Sequence, residues 1–282
     1  MILEHEIPEG SKLYFGKSAK IKREIENLAS SILYDSGFEE IVTPVFSYHQ
    51  HKSIADEREL IRVNDEKNNS ISLRADSTID VVRIIEKRLG RNTEHKKWFY
   101  IQSVFRYPTD EQNQIGAEFM DERKLSSVLN IAIEIFDKLE VYPLVQISNV
   151  KIPKIITSLF EELSIEDFQH VNIEKFLSLK VEWLEKLVYL QHVEQINELL
   201  MIAPEAIKVE LLKMKELSSE IGSKKSVLAP MYYADMLYYD ELFFRVIDKN
   251  QVYAQGGRYK NSELSSVGFA IYTDILIETK AK

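Results

Sequence analysis

The chain of 282 residues contains no cysteine. That absence excludes a disulfide framework, a thiol nucleophile and any thiolate metal site. No apolar run approaches the roughly 18 residues that a membrane helix needs. The N-terminus, MILEHEIPEG, has neither the basic start nor the apolar core of a signal peptide, so a cytoplasmic protein with no membrane partner is expected. No Walker-type glycine loop and no nucleophile elbow occur. Clustered positive charge is also scarce. The formal net charge of -9 argues against broad binding to a phosphate backbone, which requires many neutralising cations. The densest basic stretches, Lys87 to Arg91 and His95 to Lys97, are flanked by Glu86 and Glu94 and broken by Leu89, as on a solvated helix face.

What is present is a globular composition, 45% apolar and 29% charged, enough for a sizeable core or a core plus a smaller domain. After an irregular lead-in over residues 1 to 16, Ile21, Ile25, Leu28 and Ile32 predict a helix over 17–36, stopped at Gly37. A short strand, Phe38 to Thr43, follows and ends at Pro44. Residues 58 to 74 read as a hairpin turning at Asp65 to Asn69, and a helix begins within LRADSTIDVVR, with Asp76, Ser77 and Thr78 each able to cap it. Trp98 to Arg106 reads as a strand. Residues 107 to 117, with Pro108 and Gly116, read as a polar loop before a partner strand at Glu118-Phe119.

A helix over 123–139 and a strand in VYPLVQISN come next. Residues 151 to 219 then read almost wholly helical, in four or five pieces broken at Pro204. Met231 to Tyr259 alternates aromatic and polar residues as antiparallel strands do, with a turn near Lys249-Asn250. Trp98 and Trp183 are expected as core or interface anchors. His49 and His51 form a His-x-His pair, which without cysteine or a nearby acid reads as exposed chain rather than a metal site, and no metal or other cofactor is expected.

Individually the motifs are modest. Arg106 at a strand end suits bidentate contact with phosphate, yet an arginine so placed is more often part of a surface ion pair. Asp76 and Thr78 could hold an ammonium group or only cap a helix. Gly256-Gly257 could mark a tight turn. Their order is more informative than any one of them. Helix-Gly-Phe-strand-Pro, LRADST, Phe105-Arg106 with Glu118-Phe119, Tyr238-Tyr239, Gly256-Gly257-Arg258-Tyr259 and Gly268-Phe269-Ala270-Ile271 resemble, in sequence order over about residues 6 to 278, the histidyl-tRNA synthetase superfamily.

That resemblance implies an α+β fold, a class II aminoacyl-tRNA synthetase-like antiparallel sheet flanked by helices. Residues 1–150 and 220–282 would form the synthetase-like core, and residues 151–219 a helical insertion. It implies a homodimer through residues 17–46 and a ligand pocket drawn from Asp76, Thr78, Arg106, Glu118, Tyr238, Tyr239, Gly256, Gly257 and Arg258.

The departures from the family pattern bear on function. Ile275 and Ala234 stand where the family carries arginines, Ala117 replaces the Arg before the Glu-Phe pair, Pro108 replaces an acid, and Tyr272 would intrude on an adenine site. Of the phosphate-binding groups only Arg106 remains, and losing one preorganised charge contact can cost about 100-fold in rate. The sequence also stops just after the last motif, without the anticodon-binding domain, so no tRNA partner is expected.

The pattern therefore resembles the catalytically inert branch of the superfamily, the regulatory subunits of ATP phosphoribosyltransferase. There the partner is a short catalytic subunit in a hetero-octamer and histidine is a feedback effector. Leu125, Met236 and Leu237 replace residues of the histidine pocket, which leaves histidine binding open. Two alternatives also remain open: a truncated amino-acid-activating ligase, and a freestanding amino-acid-binding module.

Overall fold

The computed structural model describes residues 6–48, 54, 56–89, 93–221, 226–233, 239–261 and 264–281. Helix α1 (Gly16–Asp35) buries Ile25, Ala29, Ile32 and Leu33, close to the stripe expected from their spacing. Gly37 ends it at φ +80°, a left-handed conformation that favours glycine, and its N–H donates to the Tyr34 carbonyl at 2.9 Å. The strand expected over 38–43 is shorter. Only β1 (Glu39–Glu40) pairs, running parallel to the strand Lys97–Arg106.

Strands β2 (Phe46–Ser47), β3 (Arg62–Asn64) and β4 (Ser70–Leu73) make a small three-stranded sheet in the order β2-β4-β3. Helix α2 (Thr78–Ile84) runs directly into a π-type turn, Ile85–Leu89. The main hairpin differs from the sequence reading. Strand β5 (Lys97–Arg106) pairs along its full length with β6 (Asp110–Phe119), so the connection is the short turn 107–109 and Glu118-Phe119 ends the second strand. The polar run DEQNQ reads as loop because Gln112 and Gln114 face a polar pocket, while Asn113 on the opposite face bonds to Asp274.

Helix α3 (Ser126–Lys138) and β7 (Leu144–Asn149) lie where expected. Residues 151 to 220 form six α-helices: α4 (Lys151–Leu159), α5 (Ile165–Gln169), α6 (Ile173–Ser178), α7 (Glu182–Val188), α8 (Ile196–Ile202) and α9 (Glu205–Glu220). Lys180, at φ +54°, lies between α6 and α7 and splits what reads as a single apolar stripe from Phe176 to Val188. Strands β8 (Ser226–Leu228), β9 (Tyr239–Asp248), β10 (Gln251–Asn261) and β11 (Leu264–Tyr272) follow, and α10 (Thr273–Ala281) ends the described chain.

The large sheet has the order β1-β5-β6-β11-β10-β9-β7-β8. Its six inner strands are antiparallel neighbours, and only the short border strands β1 and β8 join in parallel. One face is covered by α1, α3 and α10, and Ile25, Leu129, Phe136 and Leu276 pack there on Phe99, Ile115, Phe244 and Val267. The same apolar cluster continues into α4 to α9 through Ile152, Phe168, Leu184, Leu199 and Leu211. On the opposite face, Val81, Val82 and Ile85 pack on Trp98, Tyr100, Phe243 and Tyr259, leaving a pocket beside them. Trp98 is thus a core residue, and Trp183 is half-buried against Phe160.

Candidate functional site

Strand alternation assigns the pocket its walls. Even-numbered residues of β6, namely Gln112, Gln114 and Glu118, share a face with Gly268, Ala270 and Tyr272 of β11, and with Gln255 and Tyr259 of β10. The segment after β4 supplies Asp76 and Thr78, and β5 delivers Arg106 to the rim. That segment is held rigidly. Arg74 is buried and donates to the carbonyls of Thr43 and Ser103, each at 2.9 Å. Gln102 accepts from the Thr43 hydroxyl at 3.1 Å and donates to the Ser77 hydroxyl at 3.0 Å.

Two glycines let the wall come so close to the sheet. A methyl group on Gly268 would overlap the Glu118 carboxylate and lie 2.8 Å from the Ala117 carbonyl oxygen. A methyl on Gly257 would lie 2.6 Å from the Tyr239 ring. Gly256-Gly257 sits inside strand β10, so these glycines serve close packing and not a tight turn.

Glu118 is fully buried, and its Oε2 accepts from the Tyr259 hydroxyl at 2.7 Å. Burial pushes its carboxyl up to about 8, against the lowering influence of Tyr259 and the neighbouring Thr78 side chain, with nearby Asp76 adding to the rise. Asp76 is also buried. Desolvation raises its carboxyl to about 6, opposed by the Ile79 N–H, which donates to Oδ1 at 3.1 Å, and by the charge of Arg106. Asp76 therefore caps α2 and faces the pocket at once. Burial and the adjacent carboxyls raise the Tyr100 and Tyr259 hydroxyls well above their ordinary value.

The expected site residues separate into groups. Asp76, Thr78, Arg106, Glu118 and Tyr239 come together around the pocket. Tyr238 lies outside the described residues, as do Ala234, Met236 and Leu237, and His49 and His51. Gly256 packs under the Phe244 ring and Gly257 under the Tyr239 ring, so neither lines the pocket itself. Arg258 is placed elsewhere: it pairs with Asp240 at 3.0 Å and with Glu241, in a cluster that also holds Lys151 and Lys213. Alternation along β10 puts Gln255, Gly257 and Tyr259 on the pocket side, so Arg258 faces the other way.

Arg106, expected to grip phosphate, forms a half-exposed ion pair with Glu59 at 3.2 Å. Ala117 is buried in the apolar cluster on the face opposite the pocket, so its lack of charge removes nothing from the pocket wall. Ile275 and Leu125 pack in that same cluster. Tyr272 does line the pocket.

Gln112, Gln114, Gln255, Tyr259 and Gly268 are pocket residues that reading for single motifs misses. The signal for the two β6 glutamines was their even spacing with Glu118. Among the pocket-lining residues described, Arg106 is the one cation, set against two carboxyl groups. Arg245 is stacked 4.2 Å from the centroid of the Tyr232 ring. The space enclosed is about 30 Å3, sized for water and not for an amino acid. No group of three or more potential metal ligands occurs among the described residues, and no helix among them is long and apolar enough to cross a membrane.

An antiparallel sheet with helices packed on one face and a pocket on the other is the core of a class II aminoacyl-tRNA synthetase-like protein. The ATP phosphoribosyltransferase regulatory subunit/histidyl-tRNA synthetase of Bacillus halodurans superposes with a TM-score of 0.82 at 20% identity, covering 99% of this chain and 83% of that one. Histidyl-tRNA synthetase from Nostoc superposes at 0.79 with 15% identity, covering 99% and 76%. The family model for histidyl-tRNA synthetase matches residues 16–276.

The ATP phosphoribosyltransferase regulatory subunit of Wolinella succinogenes is 48% identical over 278 residues, covering 99% of this chain and 96% of that protein. Its counterpart in Helicobacter hepaticus is 41% identical over 278 residues, covering 99% of both. The chain belongs to the histidyl-tRNA synthetase family and, within it, to the ATP phosphoribosyltransferase regulatory subunits.

Proposed function

We propose that this chain is a non-catalytic regulatory subunit, which activates a short ATP phosphoribosyltransferase in the first step of L-histidine biosynthesis and helps confer feedback inhibition by histidine. The observation that carries this reading within the site is its charge. Transfer at a phosphate needs several fixed cations around the developing negative charge. Among the described residues the pocket wall presents one, Arg106, already paired with Glu59, beside the carboxyls of Asp76 and Glu118. Full-length identity to named regulatory subunits supports the same reading.

Histidine is the proposed effector. Asp76, Thr78 and Glu118 offer carboxyl and hydroxyl oxygens to an ammonium group. In the present arrangement the aromatic rings of Tyr239, Tyr259 and Tyr272 fill the wall, so binding in this pocket requires one of them to swing aside. The assembly proposed is a homodimer through residues 17–46, with Tyr34 and Val42 exposed on that stretch, built into a hetero-octamer with the catalytic subunit.

The test is direct. Purified chain is titrated into a short ATP phosphoribosyltransferase, and turnover is followed with and without histidine. Turnover rises several-fold under this proposal and histidine suppresses it. Unchanged turnover, or amino-acid-dependent pyrophosphate exchange by this chain alone, overturns the reading.

A further inference from the structure

A second cavity lies on the side of the molecule where β2 meets α2 and the π-type turn that follows it. Its volume is about 560 Å3. Phe46 and Tyr48 form one wall, and Arg83, Lys87 and Arg88 form the other, with Asp80 between them. Both aromatic residues are unusually open, at 56% and 55% exposure. Surface aromatic residues beside arginine are the composition of interface centres, where large rigid side chains are desolvated by a partner.

The charge of this groove runs against that of the chain. The protein carries a net charge of -9, yet among the described lining residues of this groove three cations stand against one carboxylate. Asp80 is already engaged, accepting from the Ser47 hydroxyl at 2.9 Å and lying 3.5 Å from Arg83. Lys87 and Arg88 are exposed, and no carboxylate pairs with either among the described residues. Arg83 Nε is buried without a hydrogen-bond partner there. That nitrogen is closed to solvent, so an incoming acceptor would meet the outer guanidinium nitrogens of this partly exposed side chain.

We propose that this groove docks an acidic segment of the catalytic partner, one that places carboxylates against Arg83, Lys87 and Arg88 and an apolar side chain against Phe46. The proposal rests on the reading of the chain as a regulatory subunit. A second copy of the chain fits less well. Phe46 ends the stretch 17–46 proposed for self-association, but Arg83, Lys87 and Arg88 lie outside it, and a two-fold contact over the groove would set these cations against their own equivalents where an acidic partner segment would match them.

Complementary charge acts mainly on the rate of encounter, and buried aromatic contact mainly on the rate of escape. The two halves of the groove can therefore be tested separately, using full-length chain and the intact short ATP phosphoribosyltransferase in a kinetic binding assay over a range of salt. K87E/R88E is expected to slow association about tenfold or more at low salt and to flatten its salt dependence. F46A is expected to speed dissociation about tenfold with little change in association.

All of these side chains are exposed, and unchanged melting temperatures of the variants confirm that folding is intact. Wild-type binding with the same kinetics in both variants overturns the docking proposal and leaves the regulatory reading standing. Variants that change only the chain's own sedimentation assign the groove to self-association, which also overturns it. Absence of any wild-type binding removes the regulatory reading, and this proposal with it.

Discussion

Replacing Glu118 by glutamine should make this protein more stable at pH 8. Glu118 is fully buried, and its carboxyl is raised from 4.5 to about 8. Its proton is therefore held more tightly in the folded chain than in the unfolded one. Between pH 4.5 and about 8 the folded state binds that proton and the unfolded state does not, so unfolding free energy falls as pH rises. The contribution is fully present below 4.5 and is lost as pH climbs through about 8. At about 1.4 kcal/mol per pH unit, this window carries on the order of 5 kcal/mol. Glutamine keeps the neutral shape, accepts from the Tyr259 hydroxyl in place of Oε2, and does not titrate.

Denaturant unfolding followed by tryptophan fluorescence, at steps from pH 4.5 to 8.5, measures the difference. Wild type and E118Q should be nearly equal at the acid end and diverge steadily, with E118Q the more stable at pH 8. Asp76, raised from 3.8 to about 6, adds a second loss between those values that both proteins share. Parallel pH profiles for the two proteins would refute the assignment of a buried, protonated Glu118.

G268A should lower stability by about 1 to 3 kcal/mol or more, because the new methyl overlaps the Glu118 carboxylate and presses on the Ala117 carbonyl; a melting temperature within a degree of wild type would contradict this packing. D274A removes the acceptor for the Asn113 N–H and side-chain amide, each at 2.8 Å, and for the Tyr14 hydroxyl. It should cost about 2 to 4 kcal/mol in denaturant unfolding. R106A loses a half-exposed ion pair with Glu59 and a charge that opposes the rise of Asp76, and should shift stability at neutral pH by about 1 kcal/mol. It should also leave activation of the catalytic partner unchanged, measured in the same turnover assay; loss of activation would show that Arg106 acts beyond its pair with Glu59.

The elements with strong periodicity were legible before any coordinates. The apolar stripe of α1 and its glycine stop, the strand ending at Arg106, and the aromatic strands β9 and β10 with their turn at Lys249-Asn250 all lie where the residues place them. Strand β6 is hidden in the sequence because its polar run has the composition of a loop, although its polar residues line a pocket on one face and hold α10 on the other. The pocket was partly legible. Asp76, Thr78, Arg106, Glu118 and Tyr239 converge, but Arg258, next to the pocket-facing Tyr259 in the strand, points to the opposite face and joins a separate ion-pair cluster. The burial that raises Glu118 and Asp76 depends on rings from four strands meeting, which no local stretch encodes.

The apolar cluster that begins beneath α1 continues without a seam into α4 to α9. A chain built this way has no internal fault line along which the helices after β7 could come away while the sheet stays intact. Trimming those helices in search of a minimal scaffold would strip cover from Val145, Ile147 and Leu228, and calorimetry of the whole chain should record one melting peak where a beads-on-a-string protein would give two.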